Sequence, residues 1–252
     1  TSAILCAKFF NAEKCIIYTD VEGVFTTDPN LTKAAKKIDK ISYEEMLEMA
    51  SLGAKVMQPA SIQEARLNRI EVDVRSTFSK KLGTTITKKK NIINKNTIRG
   101  ISFTKNDAKI TLIGVKDKPG VAASIFKPLY ENSINVDMVV QNISANSRET
   151  DLTFTIRLED LIKTKKLLQN NKSIKFEKLI VNKNVSKVSI IGVGMITTPG
   201  VTYRMFKALA KKKINIEVIS TSEIKISVLI NKKNLKKSVE ILHQEFKLNH
   251  NL

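Results

Sequence analysis

The chain has 252 residues and 42% of them are apolar, which is enough for one large domain or two to three small domains with buried cores. With two cysteines and two histidines, the composition excludes a disulfide framework and a metal site rich in His or Cys. No signal peptide is visible, and no apolar run approaches the roughly 18 residues of a membrane span. We therefore expect a cytoplasmic protein with no metal site of its own and no membrane partner.

The formal net charge of +19, from 43 Lys and Arg against 24 Asp and Glu, raises the question of a nucleic-acid partner. The lysine clusters fall in different predicted elements, for example at residues 88–90, 211–213 and 232–233. Scattered lysines are typical of a solvated surface, so we expect no nucleic-acid partner.

Residues 1–87 alternate helical and strand patterns, which predicts an α/β sheet. The pattern predicts a helix at residues 1–10 that turns Phe9 and Phe10 inward. Residues 15–18 are continuously apolar, which predicts a short strand covered on both faces.

A polar loop over residues 19–29 follows this strand. Ser42 and Glu45 form a capping box that opens the next helix, and Gly53 lies where a C-terminal glycine belongs. A further helix and two strands are predicted at residues 56–68, 72–74 and 84–86. The basic segment 88–96 is predicted to be a linker.

Two later stretches of the chain repeat one pattern. The first runs from Ile110-Thr-Leu-Ile-Gly-Val115 into Pro119-Gly120-Val121, and the second runs from Val188-Ser-Ile-Ile-Gly-Val193 into Pro199-Gly200-Val201. Each copy continues through a helix, two strands and a second helix. The order βαββαβ is that of a ferredoxin-like domain, so the duplication predicts two similar small domains.

We place the first repeat at residues 108–182 and the second at residues 186–252. The second copy lacks a final strand, because residues 247–252 are too polar for a buried edge. The apolar segment 97–104 precedes the first repeat, and we expect it to complete the second repeat, with the first inserted between. A plain linker strand is the alternative.

Several motifs resemble those of aspartate kinases. The loop Tyr18-Thr-Asp-Val-Glu-Gly-Val-Phe-Thr-Thr-Asp-Pro29 and the segment Lys40-Ile-Ser-Tyr-Glu-Glu-Met-Leu-Glu-Met-Ala-Ser-Leu-Gly-Ala-Lys55 are similar to the nucleotide-binding part of that family. The two repeats are similar to its tandem ACT regulatory domains, including Asp117-Lys-Pro-Gly120 and Met138-Val-Val-Gln-Asn142. The resemblance covers practically the whole chain. It implies an α/β fold, in which the C-terminal part of an amino-acid-kinase α/β sandwich is followed by two ferredoxin-like (βαββαβ) ACT domains.

Aspartate kinases transfer the γ-phosphate of ATP, with Mg²⁺, to the side-chain carboxylate of L-aspartate. The products are ADP and 4-phospho-L-aspartate, in the first step of lysine, threonine and methionine biosynthesis. The resemblance implies that the ATP site is lined by Tyr18, Thr19, Val24, Phe25, Thr26, Thr27, Asp28, Pro29 and Lys55. Lys55 would reach the phosphates as a point charge. Taken singly, the segments 20–23 and 28–29 are ordinary turns and Lys55 is a surface lysine, and only their combined spacing points to a nucleotide.

The chain lacks the family's lysine-bearing phosphate motif, its acidic contact to aspartate and its Arg-Gly-Gly-Ser-Asp segment. We therefore expect no catalytic residue in this chain. As a C-terminal fragment, it is expected to be inactive alone.

The resemblance also implies feedback regulation by lysine, threonine or both, because paired ACT domains bind free amino acids. Asp117 would suit a cationic ligand, and Ile196-Thr-Thr198 replaces the Asp-Lys of that turn in the second copy, so the copies should not bind equivalently. The implied effector residues are Asp117, Gly120, Ala122, Asn135, Val136, Asp137, Gln141, Ser144, Thr153, Val201, Thr202, Asn215, Ile216, Ser222 and Glu223. Val136, Val201 and Ile216 fit a core position equally well.

Paired ACT domains imply a homo-oligomer or a pair of catalytic and regulatory subunits. A free-standing, amino-acid-binding regulatory subunit is the alternative, although such a protein has little need for the loop 19–29. A basic RNA-binding ferredoxin-like protein is a third alternative, but it would need aromatic pairs on the sheet to stack bases, and the sequence lacks them.

Overall fold

The computed structural model describes residues 1–54, 56–88, 96–143, 149–171 and 174–249. The first region ends at residue 88. Its elements are α1 (Ser2–Phe9), β1 (Lys14–Thr19), β2 (Lys40–Ser42), α2 (Tyr43–Ser51), α3 (Pro59–Asn68), β3 (Glu71–Ser76) and β4 (Thr84–Thr87).

These strands form one mixed sheet in the order β1-β3-β4-β2. β1 is parallel to β3, β4 is antiparallel to β3, and β2 is parallel to β4. One face of the sheet packs against the three helices through Ile4 of α1, Met46 of α2 and Ala65 of α3. The loop 19–29 leaves the carboxyl end of β1, which is the end of a strand where open α/β sheets bind ligands.

The prediction of a strand covered on both faces at residues 15–18 is wrong. Cys15 is buried, but Ile16 is 38% and Tyr18 60% exposed. The helices pack on a single face of the sheet, so in the described part of the chain the residues that alternate to the other face stay open. Likewise Phe9 and Phe10 point outward from α1, which buries Ile4 and Ala7 instead.

The predicted start and end of α2 are confirmed. The Ser42 hydroxyl accepts from the Glu45 N–H at 3.2 Å, and the Glu45 carboxylate accepts from the Ser42 N–H at 3.3 Å, which is a complete capping box. Gly53 follows the helix with φ +112°, and a Cβ there would lie 2.4 Å from the carbonyl oxygen of Phe103. The end of α2 therefore packs closely against the second half of the molecule.

The rest of the described chain forms a second sheet covered by helices. Its elements are β5 (Gly100–Lys116), α4 (Val121–Glu131), β6 (Val136–Ile143), β7 (Glu149–Arg157), α5 (Leu161–Asn170), β8 (Lys178–Ile191), α6 (Val201–Lys211), β9 (Ile216–Thr221), β10 (Lys225–Asn231) and α7 (Leu235–Glu245). The strand order is β6-β7-β5-β8-β10-β9 and all neighbours are antiparallel.

The two central strands of this sheet, β5 and β8, each serve both repeats. Residues Asp107–Ile113 of β5 pair with the first half of β8, and residues Gly100–Thr104 pair with Lys187–Ile191 in its second half. The beginning of β5 therefore occupies the fourth-strand position beside the second repeat, which is the position predicted from the sequence for residues 97–104. The pairing shifts register between Thr104 and Asp107, where the strand passes from one repeat to the other.

Each repeat has its own apolar core beneath its own two helices. In the first repeat, Ile110, Phe154 and Leu168 are fully buried, and in the second repeat Val188 and Leu242 are. The predicted fold class, α/β with two ferredoxin-like repeats, is confirmed. Among the described residues, no helix is both long enough and apolar enough to cross a bilayer.

Candidate functional site

The loop 19–29 is anchored to the sheet by the side chain of Thr84. The Val24 N–H donates to the Thr84 hydroxyl at 2.8 Å, and that hydroxyl donates to the Ile38 carbonyl at 2.6 Å. Gly23 has φ +144°, and a Cβ there would approach the Thr84 hydroxyl to 2.5 Å. The polar sequence of the loop therefore folds as a fixed turn, because a glycine allows close contact with β4.

The predicted ATP residues divide into an open group and a buried group. Tyr18 and Pro29 are exposed, and Thr19, Phe25 and Asp28 are half-buried around the same loop. Three others are buried as whole residues, so they support the loop from beneath and do not face solvent: Val24, Thr26 and Thr27. Lys55 lies outside the described residues. A nucleotide role for the set stays a prediction.

Asp28 closes the far end of the loop. Its carboxylate accepts from the Asn30 N–H at 2.8 Å, and its carbonyl accepts from the Leu31 N–H at 3.0 Å. This is the local turn chemistry that Asp provides. It fixes the direction in which Pro29 leaves the loop.

A charged cluster lies on the sheet face beside Tyr18. The carboxylate of Asp73 accepts from Lys14 at 3.3 Å, from the Thr85 hydroxyl at 2.8 Å and from the Arg75 guanidinium. Burial alone would raise the pKa of Asp73, but these donors outweigh it and hold the pKa below its ordinary value. The carboxylate is thus ionised at neutral pH and pairs with two cations, of which Arg75 lies opposite Tyr18 where the loop begins.

The junction between the first region and the second repeat is polar and buried. Arg99 is 2% exposed, its guanidinium donates to the Lys40 carbonyl, and its Nε lies 4.0 Å from the Glu45 carboxylate. The other carboxylate oxygen of Glu45 accepts from the Val193 N–H at 3.1 Å. Burial lowers the pKa of Arg99. No sequence motif predicts this contact, because the spacing of Ser42 and Glu45 indicates only a capping role for Glu45.

The predicted effector residues of the first repeat lie at two opposite ends of it. Asp137 lies level with Lys109, since both pair with Thr155 of β7. Asp117 follows the end of β5 at Lys116, about 20 Å further along the strand at 3.3 Å per residue. Within one chain, these two carboxylates therefore cannot contact one small ligand.

The remaining effector residues of this repeat divide between the same two ends. The turn of Asp117 also holds Gly120 (φ +88°, in open space) and Ala122, while exposed Asn135 and half-buried Val136 precede Asp137. Between the two ends lie exposed Gln141 and half-buried Thr153, and the Thr153 hydroxyl is 3.0 Å from that of Thr111. Ser144 lies outside the described residues.

The second repeat shows the same separation. Val201 is buried and Thr202 is exposed in the first turn of α6, and exposed Ser222 and Glu223 connect β9 to β10. Exposed Asn215 and half-buried Ile216 lie at the other end, where β9 begins. The predicted set therefore does not converge on a single site within this chain.

The two repeats meet through a reciprocal pair of ion pairs. Lys109 of the first repeat contacts Glu217 of the second at 2.6 Å, and Lys187 of the second contacts Asp137 of the first. Lys109 and Lys187 occupy equivalent repeat positions, as do Asp137 and Glu217. Sequence reasoning missed three of these residues, and the signal that would have found them is this match of charged positions between the copies.

An apolar contact lies between the two ion pairs. Met138 of β6 and Val218 of β9, which are equivalent positions, pack with Val185 and Leu229. Met138 has φ +47°, an uncommon conformation for a long side chain, and the Asp137 carboxylate accepts from its N–H at 2.8 Å. The edge strands β6 and β9 thus close onto each other at the middle of the molecule.

Comparison with known families divides the chain in the same way as its fold. Residues 1–76 match the amino acid kinase family, and residues 110–171 and 188–246 match the ACT domain.

Three known proteins resemble the chain over long segments. An aspartate kinase of Pseudomonas fluorescens (strain SBW25) is 44% identical over 250 residues, which are 98% of this chain and 60% of that protein. E. coli aspartokinase III is 28% identical and is known from two crystal structures. The complex with aspartate and ADP has a TM-score of 0.80 over 96% of this chain and 54% of that one. The complex with lysine and aspartate has a TM-score of 0.77 over 97% of this chain and 54% of that one. The regulatory subunit of aspartate kinase from Thermus thermophilus, in a ligand-free form, is 36% identical, with a TM-score of 0.56, over 60% of this chain and 99% of that one.

The chain spans about 60% of the length of the curated relatives it matches. The regulatory subunit, by contrast, is matched along almost its whole length. The kinase-family match at residues 1–76 and the two ACT domains occur together in one chain. The chain therefore belongs to the aspartate kinase family.

Proposed function

We propose that this chain is part of an aspartate kinase that transfers the γ-phosphate of ATP to the side-chain carboxylate of L-aspartate, giving ADP and 4-phospho-L-aspartate. The observation that carries the proposal is an alignment with an aspartate kinase that runs through 98% of the chain, across the kinase-family region and both ACT domains. The complex of E. coli aspartokinase III with aspartate and ADP supports the choice of substrates.

The loop 19–29 and Tyr18 would hold the nucleotide at the carboxyl end of β1. Phosphoryl transfer needs positioning and charge stabilisation more than covalent chemistry, and a fixed turn that begins beside Arg75 suits that need. Mg²⁺ would arrive with ATP, since Mg²⁺ sites in such enzymes use few carboxylates and several phosphate oxygens. The groups that act on the reacting atoms are expected outside this chain, so the chain alone should not turn over.

The ACT domains would bind the effector amino acid, lysine or threonine or both. The complex of E. coli aspartokinase III with lysine and aspartate supports lysine. Because Asp117 and Asp137 lie far apart in one chain, a site that uses both ends of a repeat needs a second chain. We therefore propose that this protein forms an oligomer. As an aspartate kinase it would act in the cytoplasm, at the first step of lysine, threonine and methionine synthesis.

A free-standing regulatory subunit is the second candidate function. The regulatory subunit of Thermus thermophilus supports it, because this chain covers 99% of that protein. The kinase-family match at residues 1–76 favours the first proposal, since a separate regulator has no use for a nucleotide loop.

Calorimetric titration of the 252-residue chain tests these functions. We expect heat from Mg-ATP and from lysine or threonine, and none from a short single-stranded RNA. Tyr18→Ala should weaken ATP binding about fivefold and leave amino-acid binding unchanged. Tyr203→Ala, at a similarly exposed tyrosine of α6, is the matched control. Amino-acid binding without ATP binding would favour the regulatory subunit, and heat from RNA alone would contradict both functions.

A further inference from the structure

Thr26, in the middle of the loop 19–29, is held by the second repeat. Its hydroxyl lies 2.8 Å from Nε2 of His243 in α7, although 217 residues separate the two in sequence. The Lys36 N–H donates to the same hydroxyl at 3.0 Å, and the Ile101 N–H donates to the Thr26 carbonyl at 2.7 Å. Thr26 is fully buried, so these contacts exclude water.

Among the described residues, the side-chain hydrogen bond of the His243 ring is the one to Thr26. His243 is 1% exposed, and its Nδ1 has no hydrogen-bond partner among the residues that the structure describes. Burial lowers the pKa of His243, so the ring is neutral at physiological pH. A neutral ring can either donate one hydrogen bond to the Thr26 hydroxyl or accept one from it. The same hydroxyl also accepts from the Lys36 N–H.

The fold of the repeat does not require a histidine at this position. Helix α5 of the first repeat is equivalent to α7, since the hydroxyls of Thr164 and Ser238 donate to the carbonyls of Asp160 and Asn234 in the same way. At the position equivalent to His243, α5 has Gln169, which is exposed. The histidine is therefore explained by the loop it touches.

We infer that His243 is a positioning residue for the nucleotide loop, which it holds through Thr26 in the shape that binds ATP. This inference rests on the proposed nucleotide function of residues 19–29. Because Phe25 and Asp28 flank the held segment, a change in the position of α7 would move the groups that are open to a ligand. By thermodynamic linkage, ATP would in turn stabilise the contact between the loop and the second repeat.

Hydrogen exchange and ATP titration of the 252-residue chain test the inference together. His243→Leu removes the hydrogen bond, and we expect the amides of Thr26 and Lys36 to exchange about tenfold faster and the Kd for ATP to rise about fivefold. His243→Gln keeps a nitrogen near the Nε2 position and should stay within about twofold of the parent chain in both measurements. Gln169→Leu, on the first repeat, should change neither.

Thr26→Val and Thr26→Ser test the same hydrogen bond by changing the partner of His243. Valine removes the hydroxyl and should loosen the loop as His243→Leu does, while serine should preserve it. If His243→Leu also speeds exchange throughout β10, the valine variant decides, because it leaves α7 unaltered.

Unchanged loop exchange in both His243→Leu and Thr26→Val would overturn the inference, as would an equal effect of Gln169→Leu. Absence of ATP binding in the parent chain would refute the nucleotide function, and the exchange data would still show whether His243 holds the loop. Faster loop exchange with unaltered ATP affinity would also overturn the inference, because the held shape would then be irrelevant to the ligand.

Discussion

The hydroxyl of Thr84 satisfies two backbone groups of different segments, the N–H of Val24 and the carbonyl of Ile38. We expect Thr84→Val to destabilise the chain by about 1–3 kcal/mol, because a buried N–H is left without a partner. Urea denaturation followed by circular dichroism measures the difference. Thr77→Val is the control, since Thr77 is exposed. The Thr19 carbonyl that its hydroxyl contacts would still accept from the backbone N–H of residue 77. An equal loss in both variants would contradict the role of Thr84.

The depressed pKa of Asp73 predicts a dependence of stability on pH. The ionised carboxylate adds stability above the unfolded pKa of about 3.9, and this stability is lost as the pH falls towards the lower folded pKa. Asp73→Asn should therefore be less stable than the parent chain at pH 7, with the gap narrowing between about pH 5 and pH 3. Urea midpoints across this range test it. Asp39→Asn, whose side chain is 74% exposed, should follow the parent chain, and a constant gap for Asp73→Asn would refute the claim.

At the scale of elements, the capping box of α2 supports more than its own helix. Ser42→Ala removes the N-cap hydroxyl, and we expect a loss of about 2 kcal/mol of stability, the upper end of the range for helix caps, measured as a lower midpoint of thermal unfolding. The loss should exceed that of an isolated cap because Glu45, the partner in the box, also accepts from Val193. Ser51→Ala, at the exposed end of the same helix, should be nearly neutral. A neutral Ser42→Ala would show that the cap is dispensable.

Elements were predictable where a local rule decides them. The Ser42 and Glu45 spacing marks the start of α2, and the two Pro-Gly turns mark the starts of α4 and α6. The prediction for β1 failed because an apolar run cannot show whether one or two faces of a strand are covered, and Ile16 is open. The length of β5 was not predictable either, since the sequence shows two apolar stretches and the structure joins them in one bulged strand.

For the whole molecule, the reciprocal ion pairs set how the two repeats sit together. Lys109 and Glu217 are 20% and 16% exposed, so removing one charge leaves the other poorly solvated. We expect Lys109→Glu to destabilise the chain by about 2 kcal/mol or more, and the double exchange Lys109→Glu with Glu217→Lys to recover most of that loss. Urea denaturation of the four proteins of this cycle gives the coupling energy.

The exposed pair of Lys127 and Glu131 on α4 serves as the control for that cycle. Their side chains are 73% and 54% exposed, and exchange of both charges should alter stability by less than about 0.5 kcal/mol. Similar coupling energies in the two cycles would mean that the repeats are held by their apolar contacts alone.

The candidate sites were only partly predictable, because sequence gives residue types without distances. The resemblance points to the loop 19–29, and the structure adds that Thr26 faces inward and meets His243. The effector set mixes residues from opposite ends of each repeat, such as Asp117 and Asp137, since equivalence to a family motif carries no information on how many chains form the site.

The strands β5 and β8 run through both repeats, but each half of them pairs within its own repeat. A genetic rearrangement that moved residues 107–185 as one block would therefore carry four paired strands, and the donor would keep Gly100–Thr104 beside its second repeat. The second repeat has no such freedom. A break before residue 186 would separate it from Gly100–Thr104 and leave one edge of β8 with unmatched backbone groups, so only the inserted copy can be inherited as a single uninterrupted piece.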